Sequence, residues 1–326
     1  MTFSRDQLIG QLPRWQSATD IAEPNDVLMA YLCQYQLAEI AAGHHYQIGL
    51  MEIPELQFAV QRFTPQDGCR ATVVVSHGYM DHMGLYGHLI AHLLNLNVEV
   101  YIYDLAGHGL SGGEPLAVDN FDVYARQLQA VLRQVALTEQ PLLLIGQSTG
   151  AAVIGAHEWL IGEDQGPPIR QRILLAPLVR PALWRAIRRQ FHLVKHFLKQ
   201  VPRRYTANSH DAAFMRFLRQ NDPMQHGDIP LSWIAAMQSW ADYIESADPH
   251  DSAVTCIQGM ADSTVDWHYN LRVLHRVYPE MKVELIEGAR HHLVNESDTY
   301  RIPVFQRISE VIDRVCSDVK ITERAV

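Results

Sequence analysis

Beyond residue 70 the chain alternates between short, nearly unbroken apolar runs and longer amphipathic stretches. The runs are ATVVVSH (71–77), VEVYIYDL (98–105), PLLLIGQ (141–147), RILLAPL (172–178), AVTCIQG (253–259) and MKVELIEG (281–288), preceded by LQFAVQRF (56–63). Their β-branched, almost continuous apolar character predicts strands covered on both faces, as in a parallel sheet. Helical patterns fall between them at 83–95, 120–136 and 149–161. Strand and helix in alternation predict a mostly parallel, doubly wound α/β sheet.

The alternation breaks once. After RILLAPL come about fifty helical and turn residues without a strand signal. A helix pattern, LSWIAAMQSWADYIE (231–245), precedes the next strand at Val254. Residues 179–230 are therefore expected to form a helical cap inserted into a core made of 46–178 and 231–326. Residues 1–45 are expected to form an N-terminal helical extension, with one helix over 26–42, Asn25 or Asp26 as its N-cap and Gly43 just past its end.

Composition narrows the class. The 326 residues are 48% hydrophobic and 19% charged, enough apolar material for a large core. No run of about 18 uncharged apolar residues is present, so no membrane span is expected. The N-terminus MTFSRDQLIGQLPRW lacks the basic-then-apolar order of a signal peptide. Cys33, Cys69, Cys256 and Cys316 are scattered, with no C-x-x-C, as in a reduced cytoplasmic protein rather than a disulfide frame or zinc site.

The formal net charge is −9, yet the span between Asp164 and Asp211 holds ten Lys or Arg and no acid. That basic stretch carries no nucleic-acid motif and the overall charge is negative, so no nucleic-acid partner is expected.

Chemistry enters at Gly146-Gln147-Ser148-Thr149-Gly150, a G-x-S-x-G pentapeptide. A match this short can arise by chance, so its context decides. Ser148 follows a buried-type strand and precedes the helix-compatible TGAAVIGAHEWL, the strand-turn-helix of a nucleophile elbow. Gly146 and Gly150 fit a tight turn in which larger side chains would meet neighbouring backbone. The plain alternative for Ser148 is a helix N-cap after a βα loop.

A serine hydroxyl needs a base, and the base an orienting acid, in loops at the carboxyl ends of later strands. Asp262 lies just beyond AVTCIQG, and His291 just beyond MKVELIEG. Asp266 and His292 compete with them; Asp262 is nearer its strand end, and His291 is preferred as base. Backbone N–H donors for an oxyanion are expected from Thr149 and, after the His77-Gly78 turn, from Tyr79. A metal hydrolase is the rival reading. HGYMDH (77–82) has Tyr79 where H-x-H-x-D-H needs histidine, and no H-E-x-x-H replaces it.

VVVSHGYMDHMGLYGHLIAHL, IYDLAGHGLSGGE, GQSTG, QGMADSTVD and EGARHHLVNE resemble successive signatures of the monoacylglycerol lipase and lysophospholipase branch of the α/β-hydrolases, an S33-like family. The resemblance runs from about residue 56 to 315 and is most specific in D-x-x-G-H-G-x-S-G-G, residues 104–113. It implies the α/β-hydrolase fold with Ser148, Asp262 and His291 as the triad. It also implies an oxyanion hole after His77-Gly78, at Tyr79, and an architectural role for Asp104, His108 and Ser111. Cleavage of lipid-like esters through an acyl-enzyme follows, with no metal or organic cofactor. Thioesterase or peptidase chemistry on the same fold, and a non-catalytic binding protein, are the alternatives. The chain departs from the family's usual His and Met at Gln147 and Thr149.

Within the cap, Trp184, Ile187, Phe191, Val194 and Leu198 recur at helical spacing among Arg185, Arg188, Arg189, His192, Lys195, His196 and Lys199. This basic amphipathic pattern is compatible with peripheral contact with an anionic membrane, though the pattern alone favours the plainer reading given next. Packing of the apolar stripe on the core is the alternative.

Overall fold

The computed structural model describes residues 3–15, 25–135, 140–162, 166–203 and 205–324. Among the described residues ten strands form two sheets. The large sheet holds β1 (His45–Ile53), β2 (Leu56–Thr64), β3 (Ala71–Ser76), β4 (Val98–Tyr103), β5 (Leu142–Gln147), β6 (Ile169–Leu175), β9 (Val254–Gly259) and β10 (Lys282–Ile286). Its order is β1-β2-β4-β3-β5-β6-β9-β10. β1–β2 and β2–β4 pair antiparallel. Every pair from β4 across to β10 is parallel. With helices on its faces this is the α/β-hydrolase fold.

β3, β4, β5 and β9 are buried along their whole length. That burial is why they read as continuous apolar runs. β1 was not expected. HYQIGLMEI pairs with β2 over its full length and is buried alternately, and Gly49 interrupts the pattern that would mark it as a strand.

Helices in chain order are α1 (Arg5–Ile9), α2 (Asp26–Gln34), α3 (Ala38–Gly43), α4 (Gly87–Asn95), α5 (Phe121–Val135), α6 (Thr149–Ala156), α7 (Trp184–Val194), α8 (Ala212–Gln220), α9 (Leu231–Ile244), α10 (Trp267–Val277) and α11 (Asp298–Arg324). The single helix expected at 26–42 is two. Gln36 takes a left-handed φ of +57°, and the Leu37 N–H turns back to the Leu32 carbonyl at 2.7 Å. Asn25 caps α2 through the Leu28 N–H. The described part of residues 1–45 packs into the main core, where Phe3, Leu8, Leu28, Tyr31, Leu32, Tyr35 and Leu37 are buried with β-sheet residues.

Residues 179–230 carry α7 and α8 and, contrary to expectation, a short antiparallel ladder of β7 (Gln200–Pro202) with β8 (Asp228–Pro230). Three-residue strands leave no periodicity to read. α7 ends at Val194, short of the Leu198 expected on its stripe. Trp184 is buried and Ile187, Phe191 and Val194 are half-buried, while Leu183, Leu193, Phe197 and Leu198 face solvent. The last two lie beyond the helix end, where helical spacing no longer governs direction.

Candidate active site

Ser148 sits between β5 and α6 with φ +54° and ψ −111°, a conformation costly for any residue with a Cβ. The turn holds because its backbone is tied on both sides. The Ser148 N–H donates to the Leu175 carbonyl at 2.8 Å, and the Ser148 carbonyl accepts from Leu178 at 3.1 Å. A Cβ on Gly146 would come within 2.5 Å of the Gly150 backbone, and one on Gly150 would collide with the Ser76 carbonyl oxygen. The two glycines are what let the turn close against β3.

The loops after β5, β9 and β10 bring three side chains into line. The Ser148 Oγ lies 2.9 Å from His291 Nε2, and His291 Nδ1 lies 2.7 Å from Asp262 Oδ2. A carboxylate only accepts, so His291 Nδ1 carries the proton and Nε2 is free to accept from the serine hydroxyl. Asp262 Oδ1 accepts the Thr264 and Val265 N–H groups at 2.7 and 3.2 Å, and Oδ2 accepts the Gln258 amide at 3.2 Å.

Burial alone would raise the Asp262 carboxyl, but the charge and hydrogen bond of His291 outweigh it and lower its pKa. Burial likewise works against the His291 cation, yet Asp262 outweighs it and raises the histidine above its ordinary value. The competitor Asp266 does other work: it caps α10 through the Tyr269 N–H at 3.3 Å.

His77 holds the loop after β3. Its Nε2 accepts the Leu105 N–H at 2.9 Å, so its proton is on Nδ1, donating to the Gly78 carbonyl at 2.8 Å. Burial pushes its pKa down, which fits this neutral form. The Tyr79 ring is fixed by two contacts. It stacks on Trp233 at 3.6 Å between centroids, and its hydroxyl donates to the Leu116 carbonyl at 3.0 Å. Neither the Tyr79 nor the Thr149 N–H has a protein acceptor among the described residues.

The DLAGHGLSGG loop is bonded as scaffolding. Asp104 accepts the Met83 and Leu110 N–H groups at 2.6 and 2.7 Å, the Ser111 hydroxyl donates to the Asp104 carbonyl at 2.6 Å, and His108 is buried.

Sequence reasoning missed four contacts around the site. The Gln147 amide donates to the His291 carbonyl at 2.9 Å. His292 faces Asp81 at 3.0 Å. His82 Nε2 lies 3.1 Å from Asp222 Oδ2, and Tyr35 donates to Asp222 Oδ1 at 2.8 Å, joining α2, the loop after β3 and the inserted segment. Asp222 is held down at about 2: burial opposes this, but the charge and hydrogen bond of His82 outweigh it. The doublet HH at 291–292 and the D-H step at 81–82 were visible; their partners were not. Among the described residues no three His, Cys, Asp or Glu side chains gather as a metal site.

The Hydrolase_4 family profile, described as serine aminopeptidase, S33, matches residues 67–298. A monoglyceride lipase homolog of monkeypox virus is 25% identical over 249 residues, 73% of this chain and 88% of that protein. The monoglyceride lipase of Rattus norvegicus is 33% identical over 117 residues, covering 35% of this chain and 37% of its own length.

Among solved structures, a soluble variant of monoglyceride lipase from Saccharomyces cerevisiae superposes with a TM-score of 0.71 at 19% identity, covering 82% of this chain and 94% of that one. The monoacylglycerol lipase of Paleococcus ferrophilus superposes with a TM-score of 0.67 at 17% identity, covering 81% and 100%. These superpositions establish the fold, and the family match spans most of the chain. The protein thus belongs to the Hydrolase_4 family of α/β-hydrolases, with its kinship among the monoglyceride lipases.

Proposed function

We propose that the protein is a serine hydrolase cleaving carboxylic esters of single-chain lipids, monoacylglycerols or lysophospholipids, through an acyl-enzyme. The observation that carries this reading is the unbroken Ser148–His291–Asp262 chain at 2.9 and 2.7 Å, presented on a strained elbow. Ser148 attacks the ester carbonyl while His291 takes its proton, and Asp262 orients and stabilises the imidazolium. The Tyr79 and Thr149 N–H groups receive the oxyanion. The alcohol leaves with the proton from His291, and water activated by the same histidine releases the acid. No metal or cofactor enters these steps.

Turnover of p-nitrophenyl esters and fluorophosphonate labelling test the reading; both are expected in the wild type and lost in Ser148→Ala. A wild type that neither turns over nor labels returns the protein to the class of ligand-binding scaffolds. A panel of esters, thioesters and aminoacyl amides separates ester hydrolysis from thioesterase and peptidase action.

Residues 179–230 serve in this reading as a cap that admits the substrate. Leu183, Leu193 and Phe197 are 81%, 73% and 85% exposed among the exposed bases Arg185, Arg189, Lys195 and Lys199. Apolar side chains ringed by cations fit the surface of an anionic bilayer. Liposome co-sedimentation should rise with anionic lipid and fall with salt; indifference to both removes the membrane from the proposal. No helix of the described residues is long and apolar enough to cross a membrane. Cys33, Cys69, Cys256 and Cys316 form no disulfide among the described residues, which fits a reducing, cytoplasmic location.

A further inference from the structure

Asp81 stands between two loops that the proposed chemistry needs in fixed register. Its N–H donates to the Gly78 carbonyl at 3.1 Å. Its Oδ1 lies 3.0 Å from His292 Nε2, and its Oδ2 accepts the Tyr86 hydroxyl at 3.0 Å. The Tyr86 oxygen accepts the Gly78 N–H at 3.1 Å, closing a ring of bonds around the residue that precedes Tyr79. This ring lies against the nucleophile. A Cβ on Gly78 would sit 2.9 Å from Asp81 Oδ2 and 3.5 Å from the Ser148 Cβ.

The other end of the bond is equally fixed. His292 directly follows His291. Its N–H donates to the Asn208 carbonyl at 2.8 Å, its carbonyl accepts from Asn295 at 3.0 Å, and Phe214 meets its ring edge-on at 4.9 Å. A carboxylate only accepts, so Nε2–H of His292 is the donor. Burial would raise the Asp81 carboxyl, but the charge and hydrogen bond of His292 outweigh it and hold it below its usual range. The Asp81 charge also acts on His77, His82, His108, His291 and Arg203.

We propose that the His292–Asp81 bond is a tether between the base loop and the oxyanion loop, with His292 a positioning residue for the Tyr79 N–H rather than a spare base. The inference rests on the serine-hydrolase reading above. An oxyanion donor works only within about 2.7–3.1 Å of where charge develops, so a loop free to drift loses transition-state binding while ground-state binding is kept.

The test compares His292→Ala, His292→Gln, Asp81→Ala and the double alanine variant on p-nitrophenyl butyrate, with inhibition by a boronic acid as the oxyanion mimic. His292→Ala is expected to lower kcat about 10- to 100-fold with KM within about twofold, and to weaken the boronate in parallel. Gln at 292 still has an amide to donate to Asp81 and should recover most of the rate. The double variant should be no worse than the poorer single one, because both break the same bond.

If His292→Ala does not fold, Asp81→Ala breaks the bond from the other loop. Retention of kcat within about twofold, or losses that multiply in the double variant, overturns the tether. A wild type without turnover or labelling overturns the hydrolase reading instead.

Discussion

The side-chain amide of Gln147 donates to the main-chain carbonyl of His291 at 2.9 Å across 144 residues of sequence. The residue before the nucleophile thus holds the backbone of the residue that would deprotonate it. Gln147 is fully buried, so this bond is not exchanged with solvent.

Gln147→Leu keeps the volume and removes the donor. The His291 carbonyl then loses a buried partner, worth about 1–2 kcal/mol. If the bond positions the base, kcat on a short-chain ester should fall about tenfold with KM little changed. Steady-state kinetics decide this; a rate within about twofold of wild type would show the bond to be idle.

The pH dependence follows from the His291–Asp262 pair. His291 must be neutral to take the Ser148 proton, so kcat/KM should rise with pH through a pKa above the ordinary 6.5. Asp262→Asn removes the charge that raises it. The acidic limb should move to lower pH, and the plateau should drop by about 10⁴. An unmoved limb would mean that the rate reports another group.

The same pair has a stability signature. A raised histidine contributes below its unfolded pKa and is lost as pH rises through its folded one. A depressed aspartate contributes above its unfolded pKa and is lost as pH falls. Their shared contribution is therefore complete between the ordinary values of 3.8 and 6.5. Urea titrations of wild type and Asp262→Asn should differ most in that window.

Gly150→Ala places a methyl into the Ser76 carbonyl. The turn has to open or β3 has to shift, at a cost of order 3 kcal/mol. Loss of both fluorophosphonate labelling and thermal stability is expected. A variant with unchanged melting temperature would show that the elbow is looser than its contacts imply.

Tyr35→Phe removes the hydroxyl that donates to Asp222 at 2.8 Å. The carboxylate keeps His82 and Gln225, so the expected loss is about 1–3 kcal/mol with catalysis largely retained. Denaturant midpoints measure it.

The central strands were legible because burial on both faces writes itself as uninterrupted Val, Ile and Leu, as in VVV of β3 and LLLI of β5. Ser148, Asp262 and His291 could be picked because parallel topology fixes where strand ends gather, and the three side chains do meet in space. β1 was hidden by Gly49, and the break at Gln36 by a helical pattern that continues through it. Gln147 and the Asp81–His292 bond were illegible for a different reason. Their partners lie 144 and 211 residues away, and no local spacing encodes which side chains converge across such separations.

The buried meeting of Tyr35, His82 and Asp222 has a mechanical consequence for the inserted segment. Its later half is also stitched down at Ser209 and His210, which bond to Asn295 and Glu296. The stretch from Lys195 to Gln200 lies exposed, yet it too is fastened: the Lys199 carbonyl accepts the Leu231 N–H at 2.8 Å, and the Gln200 amide donates to Asp228 at 2.9 Å. The segment is thus bound like a page along two margins, one at Asp222 and one at Lys199, so neither edge lifts without breaking bonds to the rest of the fold.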